Sequence, residues 1–199
     1  MAGIGALALV ALGAAGGCGG ARQDANEPSG NFPVQVVRAT FPTPQRLAQT
    51  SQLQIAVRNA GRKTVPDVAI SVLSGEANAA ASSAAFEEAS TEPGLADPSR
   101  PVWVLNDGPR GGVTAYTNTW ALGALRPGQT RTFVWNVTAV KSGVHSIRYK
   151  VAAGLNGKAK AVVPGSGQEP AGQFTVRISN KPANARVGDN GQVITTPSY

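Results

Sequence analysis

Reactive side chains are scarce in this sequence. Its 199 residues hold one histidine, His145, and one cysteine, Cys18. Ser142 and Ser146 lie close to His145, but acyl transfer by a serine also needs an acid to orient the imidazole and donors for an oxyanion, and no segment supplies them. His145 falls in phase with Ile147 and is expected to be a hydrogen-bonded structural residue of a strand. Glu87-Glu88 would offer two carboxylates for acid–base chemistry, yet adjacent side chains do not converge unless the backbone forces them to. One histidine and one cysteine cannot build the usual zinc or copper centre, and Asn106 with Asp107 is a thin oxygen set for calcium. Neither a metal nor another cofactor is expected, and the chain reads as a protein that is not an enzyme.

Three further motifs bear on ligands. Gly154-Leu155-Asn156-Gly157-Lys158 has the outline of a phosphate loop, but Ala159 stands where a magnesium-binding hydroxyl is required and Ala152 where the first glycine should be. A hairpin turn is expected there instead. Asn136-Val137-Thr138 fits a glycosylation sequon but falls inside an expected strand. Trp103 and Trp120, beside polar loops, are the candidate carbohydrate contacts, because a sugar's apolar face stacks on a flat ring. Against that stands the ordinary use of such rings, filling the space between two sheets, which is also expected of Trp135. An envelope hydrolase or carbohydrate-active protein using the Trp103 and Asp107 region is the alternative reading of function.

The elements that would position these groups are strands. Gly supplies 24 residues and Pro 14, which favours short strands and turns over long helices. Residues 125–163 show it most clearly: a Leu125-Arg126-Pro127-Gly128 turn, then Phe133, Trp135, Val137 and Ala139 on one face, then Ile147, Tyr149 and Val151 on one face. With Asn156-Gly157 as a hairpin signal, this stretch predicts a β-meander. Earlier strands are expected over 32–41, with Val34, Val36 and Val37 as core candidates, and around Leu53, Ile55 and Val57. A further one around Val68, Ile70 and Val72 is expected to lie beside it. Phe174, Val176 and Ile178 mark the last strand. Residues 75–100, rich in Ala, Ser and acidic side chains, predict a solvated loop, with a short helix around 84–89 or a lid as alternatives. Residues 181–199 predict an irregular tail with a short strand around Val193.

Residues 1–17 carry no charged side chain, and an apolar run over 4–12 gives way to Ala15-Gly16-Gly17-Cys18. This resembles a bacterial lipoprotein signal, whose cysteine becomes the lipid-bearing first residue of the mature protein. An ordinary cleaved signal and an uncleaved anchor are the alternatives, and all three export the remainder. Residues 19–31 then form a flexible tether.

The run Leu53-Gln54-Ile55-Ala56-Val57-Arg58-Asn59-Ala60-Gly61, followed by Val65-Pro66-Asp67-Val68, is similar to the opening of bacterial immunoglobulin-like domains of the CARDB type. The turn at Pro127-Gly128 before a strand and Gly143 before the last long strand fit the same group. The resemblance implies an all-β, immunoglobulin-like antiparallel sandwich of about seven strands over 32–180, in an exported binding or spacer module. A formal charge of +7 adds a second expectation. No acidic residue lies between Asp107 and Glu169, while Arg126, Arg131, Lys141, Arg148, Lys150, Lys158 and Lys160 do. They are the candidate contacts to an anionic surface. The expected partners are a membrane, through lipid on Cys18, and an anionic envelope polymer or another envelope protein. Nucleic acid is not expected, since the basic residues are not interleaved with aromatics. The expected location is the outer side of the cell membrane.

Overall fold

The structure, a computed structural model, describes residues 26–76, 84–88, 101–116, 118–182, 185–187 and 193–195. The expected signal segment with Cys18, most of the expected tether and most of the acidic stretch lie outside the described residues. Fourteen strands and no helix occur among those described. In chain order they are β1 (Gly30–Thr40), β2 (Pro44–Leu47), β3 (Thr50–Asn59), β4 (Ala69–Ser74), β5 (Phe86–Glu88), β6 (Trp103–Asp107) and β7 (Val113–Tyr116). Then follow β8 (Thr119–Ala121), β9 (Thr130–Ala139), β10 (Gly143–Ala152), β11 (Ala159–Val162), β12 (Ala171–Pro182), β13 (Ala185–Val187) and β14 (Val193–Thr195).

Two six-stranded sheets face each other, in the orders β11-β1-β3-β9-β6-β5 and β2-β12-β10-β4-β8-β7. Their inner faces follow the period of two read from the sequence. Phe133, Trp135, Val137 and Ala139 of β9 and Leu53, Ile55 and Val57 of β3 close on Ile147 and Val151 of β10, Ile70 and Val72 of β4, and Val176 and Ile178 of β12. The immunoglobulin-like sandwich is thus the fold. It has more strands than the seven expected, because short edge strands pair in parallel at β1–β11, β2–β12 and β5–β6.

Several local expectations are corrected. Residues 125–163 are not a meander: β9 and β11 belong to one sheet and β10 to the other, so Val140, Lys141 and Ser142 arch across the core. Asn156-Gly157 likewise leads not to a hairpin but to a second crossing, after which β11 pairs in parallel with β1. β3 and β4, expected to be neighbours, also sit in opposite sheets; β3 pairs with β1 and β9, and β4 with β10 and β8. Alternation records that one face of a strand is buried, and an arch between sheets satisfies it as well as a hairpin within one. Val37 is 47% exposed because the register of β1 shifts between Val36 and Arg38, turning the extra residue outward. Within the acidic stretch, residues 86–88 form strand β5, neither loop nor helix, and buried Phe86 packs perpendicular to the ring of Trp103. Gly30 and Asn31, assigned to the tether, are already in β1, and Lys181 and Pro182 still belong to β12. The tail adds a two-stranded hairpin, β13–β14, which includes Val193.

Candidate functional site

Strand direction assigns each loop to one of two ends. β1 starts at Gly30 beside Ala159 of β11, while Arg58 near the end of β3 lies opposite Thr130 at the start of β9. Across the core, Asp67 N donates to Ala153 O, Val65 bridges to Leu125, and Ala152 at the end of β10 lies opposite Ala69. All of these therefore share the end at which the chain joins the domain, which we call proximal.

A buried asparagine ties the proximal loops together. Asn59 Nδ2 donates to Leu125 O at 2.8 Å and to Lys63 O at 2.9 Å, and its Oδ1 accepts Gly61 N at 2.9 Å. The Asn-x-Gly sequence thus closes its own turn and fastens it to the turn before β9. What this scaffold presents is positive charge. Lys158 and Lys160 at the start of β11, Arg58, Arg62 and Lys63 at the end of β3, and Arg126 and Arg131 at the start of β9 are all exposed at this end, in that order across the sheet. Glu27 and Asp67 are carboxylates set among them, Asp67 Oδ1 accepting Gly123 N at 2.9 Å.

Only four of the seven basic residues singled out in the sequence come together here: Arg126, Arg131, Lys158 and Lys160. Lys141 sits in the arch at the distal end. Arg148 and Lys150 lie on the outer face of β10, where Arg148 donates to Ser74 O at 3.0 Å and Lys150 Nζ is 3.1 Å from Glu169 Oε2. Arg58, Arg62 and Lys63 were missed because the acid-free window begins after Asp107; adjacent Arg62-Lys63 in the turn opened by Asn59 was the available signal.

The carbohydrate platform is not formed. Trp103 is 1% and Trp120 6% exposed, so neither ring offers a face for stacking. Trp103 packs instead between Phe41, Phe86 and His145 and donates Nε1–H to buried Gln45 at 2.8 Å. Trp120 stands edge-on to Trp135. Asp107 lies at the other end of β6 from Trp103, about 13 Å along the strand. It is exposed, with Asn136 Nδ2 at 3.4 Å, in a recess of about 410 Å³ that also holds Gln52 and Arg110. The Trp103 and Asp107 region therefore does not converge into one site.

His145 is buried and engaged at both nitrogens: Nδ1 is 3.3 Å from Glu76 Oε1 and Nε2 3.1 Å from Ser142 O. The same Glu76 oxygen accepts Ser146 N at 3.1 Å. Ser142 thus contributes its carbonyl and Ser146 its amide, and neither hydroxyl is hydrogen-bonded to the imidazole. Among the described residues no three His, Cys, Asp or Glu side chains cluster to hold a metal, and no helix is long and apolar enough to cross a membrane.

No family model matches the chain, and no curated protein does. Solved structures similar to it include the CARDB domain of the Pyrococcus furiosus protein PF1109 in complex with di-metal ions, at a TM-score of 0.46 and 14% identity, covering 75% of this chain and 96% of that one. Escherichia coli alpha-2-macroglobulin in its native conformation aligns at a TM-score of 0.43 and 16% identity, over 76% of this chain and 7% of the other. A chain of the complex between zinc 2-glycoprotein and prolactin inducible protein from human seminal plasma aligns at 0.41 and 12% identity, over 74% and 94%. The likeness is one of fold, and the assignment of an immunoglobulin-like sandwich rests on the strand pairing of the chain itself.

Proposed function

We propose that this chain is an exported, lipid-anchored and non-enzymatic module of the cell envelope whose proximal end rests on an anionic surface. The observation that carries this reading is the coincidence of two features at one end: the basic cluster, and the point where the segment bearing Cys18 joins the domain. From Cys18 to Glu27 the chain reaches at most about 30 Å, at roughly 3.3–3.6 Å per residue. Lipid on Cys18 would hold the basic end near the head groups, where attraction to anionic lipid acts within a Debye length of about 8 Å. The distal end, with Glu76 and β5, would face away and be free to meet envelope polymers or proteins.

Two measurements test this. Radiolabelled palmitate should enter the full chain and be lost in Cys18→Ala. The unlipidated Cys18→Ala chain should still sediment with phosphatidylglycerol vesicles at low salt and release as salt rises. Neutralising Arg126, Arg131, Lys158 and Lys160 to Gln should weaken that binding, and Lys141→Gln should not. Binding that ignores salt, or that Lys141→Gln weakens equally, would sink the proposal.

A further inference from the structure

The loop that joins β10 to β11 does bind an anion, although not as a phosphate loop. Glu27 reaches into it from the residues preceding β1. Its Oε2 accepts Asn156 N at 2.6 Å and its Oε1 accepts Ala159 N at 2.6 Å. The amides of Leu155 and Lys158 complete a set of four backbone donors turned toward one carboxylate. Convergent backbone N–H groups of this kind make a concave nest that favours negative charge. Gly154 is adapted to it: a Cβ there would fall inside the Glu27 carboxyl group. Its φ is not in the left-handed region, so room for the carboxylate is what the glycine provides. Gly157, with φ +76°, supplies the reversal that brings Lys158 and Ala159 round to the same anion.

We propose that residues 154–159 form a carboxylate-binding nest, that Glu27 of this chain is its ligand, and that the pair is a clasp fastening the incoming chain to the basic end. The clasp acts in addition to strand pairing. Gly30 N donates to Lys158 O at 3.1 Å, so β1 is held at its first residue, and Glu27 moves the point of attachment three residues further toward Cys18. It also places one negative charge at the start of β11 through backbone donors, next to the exposed Lys158 and Lys160. The clasp stands on this geometry alone and does not depend on the anchoring reading.

Burial disfavours the Glu27 anion, but the donors Ala159, Asn156, Lys158 and Leu155 together outweigh it and hold the carboxyl below its ordinary 4.5. Asp67 and Tyr116 line the cleft of about 690 Å³ that Glu27 also lines, and Lys158, whose own amide faces the carboxylate, is the cation carried by the loop. The test is amide NMR on the full chain in detergent micelles. On acidification the amide protons of Leu155, Asn156, Lys158 and Ala159 should titrate together, with a midpoint below 4.5 that matches the Glu27 carboxyl carbon. Glu27→Gln should abolish the shared titration and speed exchange of the Asn156 and Ala159 amides. Gly154→Ala, which leaves the carboxyl in place but closes its seat, should do the same and return Glu27 toward its ordinary titration. Unchanged exchange at Ile147 and Val151 would certify the fold in both variants. Amides that do not follow Glu27, or that behave alike in wild type and Glu27→Gln, would overturn the proposal.

Discussion

Replacing Asn59 by alanine separates the turn closure from everything else the residue does. The residue is 1% exposed and its side chain makes three hydrogen bonds, and alanine removes all three while the backbone bonds Asn59 N to Gln129 O and Gly128 N to Asn59 O survive. The loss is tempered, because Leu125 O keeps a second donor, Val65 N, and Lys63 and Gly61 lie where water reaches. With each intramolecular bond worth about 1 kcal/mol net, the expected cost is about 2–3 kcal/mol. In urea, at a slope of about 2 kcal/mol per molar, that lowers the midpoint by roughly 1–1.5 M. Asn59→Asp is the sharper probe, since it places a carboxylate against two carbonyl oxygens and leaves it buried. At pH 7 it should be less stable than Asn59→Ala. A buried carboxyl with a raised folded pKa binds more protons folded than unfolded, so this variant should gain stability as pH falls and lose it as pH rises. The account of Asn59 as a double donor fails if Asn59→Ala costs under about 0.5 kcal/mol, within the range of ordinary surface changes. It fails equally if the aspartate variant matches the alanine one at pH 7.

Three further outcomes follow from the core. Trp103→Phe orphans the buried Gln45 carbonyl oxygen and should cost about 1–3 kcal/mol beyond its volume change, with Gln45→Met restoring most of it. Trp135→Phe, whose indole N–H has no acceptor among the described residues, should carry no such hydrogen-bond penalty; chemical denaturation of the two variants side by side checks the contrast. At Gly172 an added Cβ would land on the ring of Tyr149, which lies across the strands from it, so Gly172→Ala should destabilise by about 1–3 kcal/mol by overpacking, read from the thermal midpoint. Burial pushes the Tyr149 phenol above its ordinary 10.0. The folded state then keeps a proton that the unfolded chain releases, so stability should fall as pH climbs past 10.0, and Tyr149→Phe should flatten that slope in alkaline denaturation curves.

Which faces of the strands are buried was legible, and which strands are partners was not. Phe133, Trp135 and Val137 were assigned inward from spacing alone and are all fully buried, and His145 was placed inward by strict alternation. The same alternation was silent on whether Lys141-Ser142-Gly143 folds β10 back beside β9 or carries it across the core, because both leave one apolar face covered. The deciding information is nonlocal. Lys150 pairs with Ala171 on one side and Ser71 on the other, and these residues are far apart in the chain. Phe86 shows the complementary failure: one apolar residue in an acidic, alanine-rich stretch carries no period, yet it anchors a strand because it pairs in register with Trp103 and packs perpendicular to its ring.

The basic end was half legible for a related reason. Charge in a sequence is counted along windows, and a sandwich assembles its ends from loops that no window joins. The acid-free span after Asp107 exposed Arg126, Arg131, Lys158 and Lys160, but it also swept in Lys141, which the arch carries to the opposite end, and it excluded Arg58, Arg62 and Lys63. Glu27 lay in a segment with no periodicity, and nothing there marked it as a ligand. The loop it enters had been set aside on sound grounds, since Ala152 and Ala159 do rule out nucleotide phosphate chemistry. What those grounds left untouched is the physical property beneath the motif: glycines at 154 and 157 let backbone amides converge on an anion whatever its source. A motif test asks whether the side chains suit a known ligand. The amides ask only for negative charge within reach, and the crossing of β10 to β11 beside the start of β1 brings it from this chain's own carboxylate.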